Sequence, residues 1–301
     1  MSLSVLRNTI TEEATAFGHI SPRLPVAAEM MTPVDRAQVL AFLSERPFHT
    51  FGLTGLIRDN GLVSPLNRGS FYACRDENGN IDGVALIGYN TVMEVRSDAS
   101  IKAFAQLARA CPHIYLMLAE EAVLRKFWHH YCSSEDIEFE DKRYALLKQS
   151  WPIEVRDPIS GLRKARLADL DLVVLAHAQS GIEETGVNGL EQDPLGFPKR
   201  CARRIEKGHT WVWIENGKLI FKVEVLTDTP ELIYLESIWI APEERNKGYG
   251  LRCLAQLGRE FLKRSSAICL LVQEQNIAAR LIYEQAGYKN IGRYQAIFLS
   301  R

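Results

Sequence analysis

The sequence has no long apolar run, no paired-cysteine motif and almost no net charge, and each absence removes a class of protein. No stretch approaches the roughly 20 apolar residues that span a bilayer, so no membrane helix and no membrane partner are expected. Lys and Arg total 36 against 37 Asp and Glu, a formal net charge of -1. Such a chain has no global field to gather nucleic acid or an anionic lipid surface. The six cysteines (Cys74, Cys111, Cys132, Cys201, Cys253 and Cys269) include no CxxC pair. Neither a zinc site nor a dithiol redox motif is suggested, no metal is expected, and most of these thiols lie in apolar surroundings that suit reduced core residues. The first twenty residues carry acidic groups early and no continuous apolar core, unlike a secretion signal. A cytoplasmic location is the resulting expectation. What remains is a chain of 301 residues, 47% hydrophobic and 24% charged. That is an ordinary globular composition, long for one domain and suited to two of about 150 residues.

The second half has the clearer pattern. "LRKARLADLDLVVLAHAQ" predicts a short strand, a turn and a helix, and "DPLGFPKRCARRIEKG" a second helix from Pro198 to near Gly208. "HTWVWIE" and "KLIFKVEVL" flank Asn216-Gly217, a hairpin signal. "ELIYLESIWIA" predicts a third strand closed by Pro242. From Gly248 to Arg264, Leu251, Leu254, Gly258, Phe261 and Leu262 recur at helical spacing. "AICLLVQ" is a short buried strand, "NIAARLIYEQAG" a helix between Asn276 and Gly287, and "YKNIGRYQAIFL" two closing strands. The order predicts an α/β fold on a mixed sheet. The first half repeats parts of it: "SFYACRDENGNIDGVALIGY", "AFAQLARA" and "IYLMLAEEAVLRKFW" parallel later segments in the same order. An internal duplication follows, with "LKQSWPIEVRDPISG" as linker and domains at 1–150 and 151–301.

Gly248 and Gly250 open a helix directly after a strand. A helix start offers unpaired N–H groups and a positive dipole end, and glycine admits an anion close to the main chain. The R-x-x-G-x-G spacing is weak alone, because glycines also serve tight turns for steric reasons. "LESIWIAPEERNKGYG" followed by "LLVQEQNIAARLIYEQAGY" resembles the acyl-CoA site of the GNAT-type N-acyltransferases over about residues 160–301. The resemblance implies two tandem GNAT-like folds. It also implies acetyl-CoA as co-substrate, acetyl being the family's commonest acyl group, and a primary amine as acceptor. It assigns the CoA pyrophosphate to the backbone of Arg245, Asn246, Lys247, Gly248, Tyr249, Gly250 and Leu251. Asn246 departs from the family's glycine, which is tolerable if its backbone is not left-handed. The resemblance further implies a thioester-oxygen donor among Ile238, Trp239 and Ile240, provided their strand splays from its neighbour. Tyr283 would protonate the leaving sulfur, and Asn276 would cap its helix and contact the CoA arm.

Acyl transfer to an amine needs a group to take the amine proton. Glu236 is the candidate base, matching a family glutamate. By strand alternation it shares a face with Leu232, Tyr234, Ile238 and Ile240, company in which a charge calls for a reason. The plain alternative is a carboxylate paired with Lys or Arg. Glu224 or a water is the second possible base. Glu183 and Glu184, in "HAQSGIEETGVN", lie where the family shapes its acceptor pocket and could attract a cationic amine, or could be a solvated acidic pair. "EETGV" with "FKVEV" also resembles a bacterial group of two-domain GNAT proteins.

The first half retains the apolar pattern and loses the chemistry. Setting Gln106 against Gln256 puts Val95 opposite Arg245, Asp98 opposite Gly248 and Ser100 opposite Gly250. A carboxylate there repels a pyrophosphate. Glu121 and Trp128 fall opposite Asn276 and Tyr283. "RKFWHHY" is too short to argue for nucleic acid and reads as a helix face, and His129 and His130 are expected to point apart. The expectation is an acyl-CoA-dependent N-acyltransferase with one active and one degenerate domain, possible as a homodimer because GNAT sheets often pair. The alternatives are a non-catalytic acyl-CoA binder or sensor, or an interaction protein.

Overall fold

The computed structural model describes residues 26–132 and 137–299. The reading of the first twenty residues lies outside them. The first half contributes β1 (Ala28–Met30), α1 (Arg36–Ser44), α2 (Phe51–Asn60), β2 (Gly69–Arg75), β3 (Ile81–Gly88) and β4 (Asn90–Val95). It continues through α3 (Asp98–Arg109), β5 (Leu116–Glu120), α4 (Glu121–Tyr131) and β6 (Phe139–Gln149). The second half runs β7 (Leu162–Lys164), α5 (Leu170–Thr185), α6 (Gly189–Gln192), α7 (Gly196–Glu206), β8 (Thr210–Glu215) and β9 (Lys218–Asp228). It ends with β10 (Ile233–Ile240), α8 (Tyr249–Phe261), β11 (Ile268–Gln273), α9 (Ile277–Gln285) and β12 (Lys289–Leu299).

Twelve strands form one mixed sheet in the order β1-β2-β3-β4-β5-β12-β6-β11-β10-β9-β8-β7. Two neighbouring pairs are parallel, β4–β5 and β10–β11. The order is the same read inward from either edge, apart from the central exchange. β6, the last strand of the first half, pairs with β11 of the second, while β12 pairs with β5 of the first. β6 and β12 also pair with each other, with Tyr144 opposite Tyr294. Each half therefore gives its final strand to the other, and the chain segments 1–150 and 151–301 are not separate blocks of sheet.

Local chemistry accounts for most elements. α8 buries Cys253, Leu254, Leu257 and Phe261 on one stripe. Asn276 caps α9 by accepting the Ala279 N–H at 3.0 Å, and Gly287 follows that helix at φ +88°. Pro198 sits in the first turn of α7, where its missing N–H costs nothing. Two expectations need correction. "YKNIGRYQAIFL" is one strand, β12, whose ladder absorbs a register shift between Asn290 and Gly292 instead of turning. The first residues assigned to the linker, Leu147 to Gln149, are the end of β6.

The helices cover both faces of the sheet. A central cluster joins Phe51 of α2 to Tyr144, Leu146, Tyr234, Tyr294 and Phe298 from strands of both halves. Phe51 stacks on Tyr234 with centroids 3.8 Å apart, and its carbonyl accepts the Thr227 hydroxyl at 2.7 Å. Burying an aromatic of this size stabilises by about 2–3 kcal/mol, so the contact ties the halves together. Among the described residues no cysteine is joined in a disulfide, and Cys74, Cys201, Cys253 and Cys269 are buried. No helix among the described residues is long and apolar enough to cross a membrane.

Candidate active site

β10 and β11 pair in register only at Ile233–Ile268 and Tyr234–Cys269. Beyond Tyr234 the two strands part. Backbone donors of β10 that would have faced β11 must find another acceptor. On the other strand, the Leu271 N–H is accepted by the Tyr234 hydroxyl at 3.1 Å. The separation that the thioester-oxygen donor requires is thus present in the backbone.

The same segment carries a bulge. On the β9 side Glu236 opposes Glu224 and Trp239 opposes Lys222, leaving Ser237 and Ile238 against a single residue. Ser237 takes φ +49°, a left-handed conformation that costs a non-glycine residue about 1–2 kcal/mol. The extra residue reverses the faces beyond it. Glu236 keeps company with Leu232 and Tyr234, but Ile238 and Ile240 turn to the opposite side and pack with the α8–α9 core. The simple alternation placing all of them on one face is corrected. Trp239 instead joins the cluster under α5 and α7, so its backbone, not its ring, is what it can offer at the opening.

β10 then leads through a short turn to α8. Arg245 N–H returns to the Pro242 carbonyl, and the next backbone donor to bond is Arg252, to Gly248. Among the described residues the N–H groups of 246–251 make no backbone hydrogen bond, so six donors stand at a helix N-terminus. Asn246 is left-handed at φ +64°, against the condition set for it. Asparagine tolerates that region better than other non-glycine residues, which explains how the family's glycine can be replaced. Gly248 caps α8 at φ +78°, and a Cβ there would meet nothing within 4 Å. Its glycine serves conformation and leaves open space for a ligand. At Gly250 a Cβ would lie 2.6 Å from Ile240 Cδ1, so this glycine lets the helix sit against β10. The Tyr249 ring packs edge-on to Trp213 at 4.9 Å, and Lys247 pairs with Glu244 at 2.8 Å. Both contribute backbone to the turn.

Charged side chains converge beside the bulge. Lys222 and Glu224 are fully buried, with Lys222 Nζ 3.0 Å from Glu224 Oε1. His177 Nδ1 of α5 lies 3.1 Å from the same oxygen. Arg204 Nη1 of α7 bridges Glu224 Oε2 and Glu236 Oε1, at 2.6 Å from each. Burial penalises the Glu224 carboxylate, but Lys222, His177 and Arg204 outweigh it and hold the group well below the usual carboxylate range. Glu224 is a locked counter-ion. Glu236 remains about one-third exposed.

The acidic pair expected at the acceptor side is divided. Both Glu183 oxygens are taken by Arg245 Nη2, at 2.8 and 2.9 Å, so Glu183 is not a free carboxylate for an amine and Arg245 is not a free cation for a phosphate. Glu184 is different. Its side chain reaches solvent but is walled by protein; burial and then the Glu236 charge push its carboxyl above the ordinary range. Its carbonyl accepts Lys142 of β6 at 2.7 Å and Gln273 of β11 at 3.3 Å. Tyr283 of α9 is buried in the α8–α9 core, and burial followed by the Glu184 charge raises its hydroxyl well above the ordinary tyrosine range. It stays protonated, as a proton donor must. Lys142, Tyr144, His177, Arg204 and Lys222 went unnamed at the sequence level. Only Lys222 and Glu224 carried a signal there, two charges alternating within the apolar "LIFKVEVL".

The first half differs at each of these places. Ser97 caps α3 where Gly248 caps α8, one residue earlier than the Gln106–Gln256 alignment implies. The Ser97 hydroxyl accepts the Ser100 N–H, and the Asp82 carboxylate accepts both serine hydroxyls. This helix start is already neutralised from within. β4 and β5 also part, after Val92–Leu118. There Arg46 spans Glu94 on β4 and Glu120 on β5, at 2.9 and 2.6 Å. Trp128 packs against Tyr131 and Phe139 and brings no hydroxyl.

A mixed sheet opened at a parallel pair, with a bare helix start at the opening, defines the N-acyltransferase fold. Residues 183–288 match the model of the Acetyltransferase (GNAT) family. That segment is similar to GNAT-family domains, which generally use acetyl-CoA and an amine acceptor. No curated protein matches it. Solved structures extend the likeness of fold over most of the chain. A GNAT-family acetyltransferase from Colwellia psychrerythraea is 14% identical, with 91% of this chain and 99% of that one covered at a TM-score of 0.56. A Drosophila protein is 13% identical over the same shares at 0.65. A tandem GNAT protein from the clavulanic acid biosynthesis pathway is 12% identical, covering 91% and 98%, at 0.55.

Proposed function

We propose that the chain is an acyl-CoA-dependent N-acyltransferase that moves acetyl from acetyl-CoA to a primary amine by direct attack. Residues 151–301 carry the chemistry, and residues 1–150 are a degenerate copy. The observation that supports this best is the parting of β10 from β11 beside the six unpaired amides of 246–251. The open space at Gly248 suits a bound pyrophosphate, whereas the matching place in the first half is filled by Asp82.

Acetyl-CoA supplies the activated thioester. The turn amides and the α8 dipole hold its pyrophosphate, and Asn276 lies at the start of the neighbouring helix. Backbone donors of Ile238 to Ile240 face the thioester oxygen and stabilise the charge that develops on it. Glu184 and Glu236 draw in the acceptor as an ammonium. Glu236 takes its proton, directly or through water, so that the neutral nitrogen can form the new C–N bond as the C–S bond breaks. Tyr283 gives its proton to the departing sulfur and is reprotonated, through water, by the proton that the newly acylated nitrogen sheds. Glu224, fully buried against Lys222 and Arg204, is set aside as the base, and so is Glu183, both of whose oxygens Arg245 takes; Glu236 meets Arg204 through Oε1 and stays partly exposed.

The test is acetyl transfer from acetyl-CoA across a panel of primary amines, with Tyr283→Phe and Glu236→Gln as variants. Each variant is expected to lose about 10²–10⁴-fold in turnover while still binding acetyl-CoA. Binding without turnover on any amine would favour a sensor.

A further inference from the structure

Lys222 and Glu224 are charged, fully buried and placed on a strand whose residues 219–225 are all buried. Removing two charges from water carries a large desolvation cost, and an apolar pair of similar size is often at least as stable in such a place. The duplicated half supplies that comparison within one chain. Tyr144 and Tyr294 pair across the pseudo-twofold centre, so Gln273, opposite Tyr144, corresponds to Glu120, opposite Tyr294. Counting back along β11 and β5, Cys269 corresponds to Leu116, and their partners Tyr234 and Asn90 correspond in turn. Glu236 then matches Val92. Their antiparallel partners Glu224 and Leu86 match, and Lys222 matches Val84. The fold accepts Val, Leu and Val where the second half keeps Lys, Glu and Glu.

A second difference accompanies the first. The β3–β4 ladder runs from Gly83–Val95 to Leu86–Val92 without a shift, and no residue of β4 is left-handed. The β9–β10 ladder breaks between Glu236 and Trp239, with Ser237 at φ +49°. The Lys222 ammonium reaches across that break to the Ser237 carbonyl at 3.4 Å. Bulge, strained serine and buried lysine occur together in one half and are all missing from the other.

We propose that Lys222, neutralised by Glu224, is a positioning residue: it holds the Ser237 carbonyl, fixes the bulge, and so aims the β10 backbone donors at the thioester oxygen. This rests on the acyltransferase reading above. Lys222 is enclosed, touches no substrate and acts through the backbone. Its ammonium compensates a left-handed peptide that the strand would otherwise straighten into the regular register seen in β4.

The test copies the first half into the second, as Lys222→Val with Glu224→Leu in the full chain. Binding of acetyl-CoA and of S-ethyl-CoA, a thioether without the carbonyl, is measured by calorimetry, and the carbonyl stretch of bound ¹³C-acetyl-CoA by infrared difference spectroscopy. The wild type is expected to prefer acetyl-CoA by roughly five- to tenfold, about one hydrogen bond, with the carbonyl band shifted down. The double variant is expected to bind S-ethyl-CoA like the wild type, lose the preference and return the band to its solution position. A misplaced bulge moves the band; a merely weakened fold does not. Lys222→Met with Glu224→Gln, closer in shape, is expected to give the same losses should the first variant fail to fold. Variants that keep preference and band shift overturn the proposal, as does a wild type with equal affinity for both ligands. A wild type that binds neither ligand overturns the acyltransferase reading as well, so the two failures are told apart.

Discussion

Replacing Glu224 alone by leucine tests the buried charge cluster as a matter of stability. The carboxylate meets Lys222 at 3.0 Å, His177 at 3.1 Å and Arg204 at 2.6 Å, and none of the Lys222 side chain is exposed. In Glu224→Leu the lysine keeps only His177 and the Ser237 carbonyl within reach. Breaking a buried pair by removing one partner costs about 3–5 kcal/mol, because the other charge is left without compensation. For a chain of this size the expected fall in melting temperature is roughly 6–10 °C, at about 2 °C per kcal/mol. Adding Lys222→Val removes the stranded charge and leaves the apolar pair that the first half carries as Val84 and Leu86, both fully buried. The double variant is therefore expected to recover most of the loss. Thermal unfolding followed by circular dichroism reads all three proteins. A single variant as stable as the wild type, or a double variant worse than the single, would refute the view that these charges balance each other inside a fold that does not require them.

Two further outcomes follow from the same geometry. Splitting the chain near Trp151 removes β6 from between β11 and β12, so residues 151–301 expressed alone are expected to be insoluble or unfolded, and co-expression with residues 1–150 to restore a folded complex; a stable, folded fragment would contradict the strand exchange. Glu184 has a folded-state pKa raised by burial and by Glu236, so its ionisation opposes folding above the ordinary carboxylate range, and that penalty vanishes at lower pH. Glu184→Gln should melt above the wild type at pH 8, and the two should converge towards about pH 4; a difference independent of pH would argue against the shift.

Much of this was legible in the sequence where the signal is local. The stripe on α8, the Asn216–Gly217 hairpin, the cap at Asn276 and the glycines before α8 are each written within a few residues, and the structure places those elements accordingly. What escaped depends on partners far along the chain. β6 begins with a charged, exposed run and reveals its buried stretch, Tyr144 to Leu147, only near its end, so it lacks a clean alternating pattern. Its place between β11 and β12 is a long-range pairing that no local pattern encodes. The bulge sits at a serine, a residue that gives no hint of a positive φ. Two strands were expected in "YKNIGRYQAIFL", where β12 instead shifts register between Asn290 and Gly292 and runs on. The division of Glu183 from Glu184 is set by an arginine about sixty residues away, and neighbouring carboxylates in a sequence look alike until their partners are known.

We propose one live acyl-CoA site per chain, at the start of α8. Calorimetric titration of acetyl-CoA into the wild type and into Gly248→Asp measures it most directly, since the substitution sets a carboxylate at that helix start, as the first half does with Asp82. One site per chain in the wild type, lost in the variant, is the predicted result. Two sites would contradict the degeneracy of the first half, and no binding to the wild type would contradict the acyltransferase account itself.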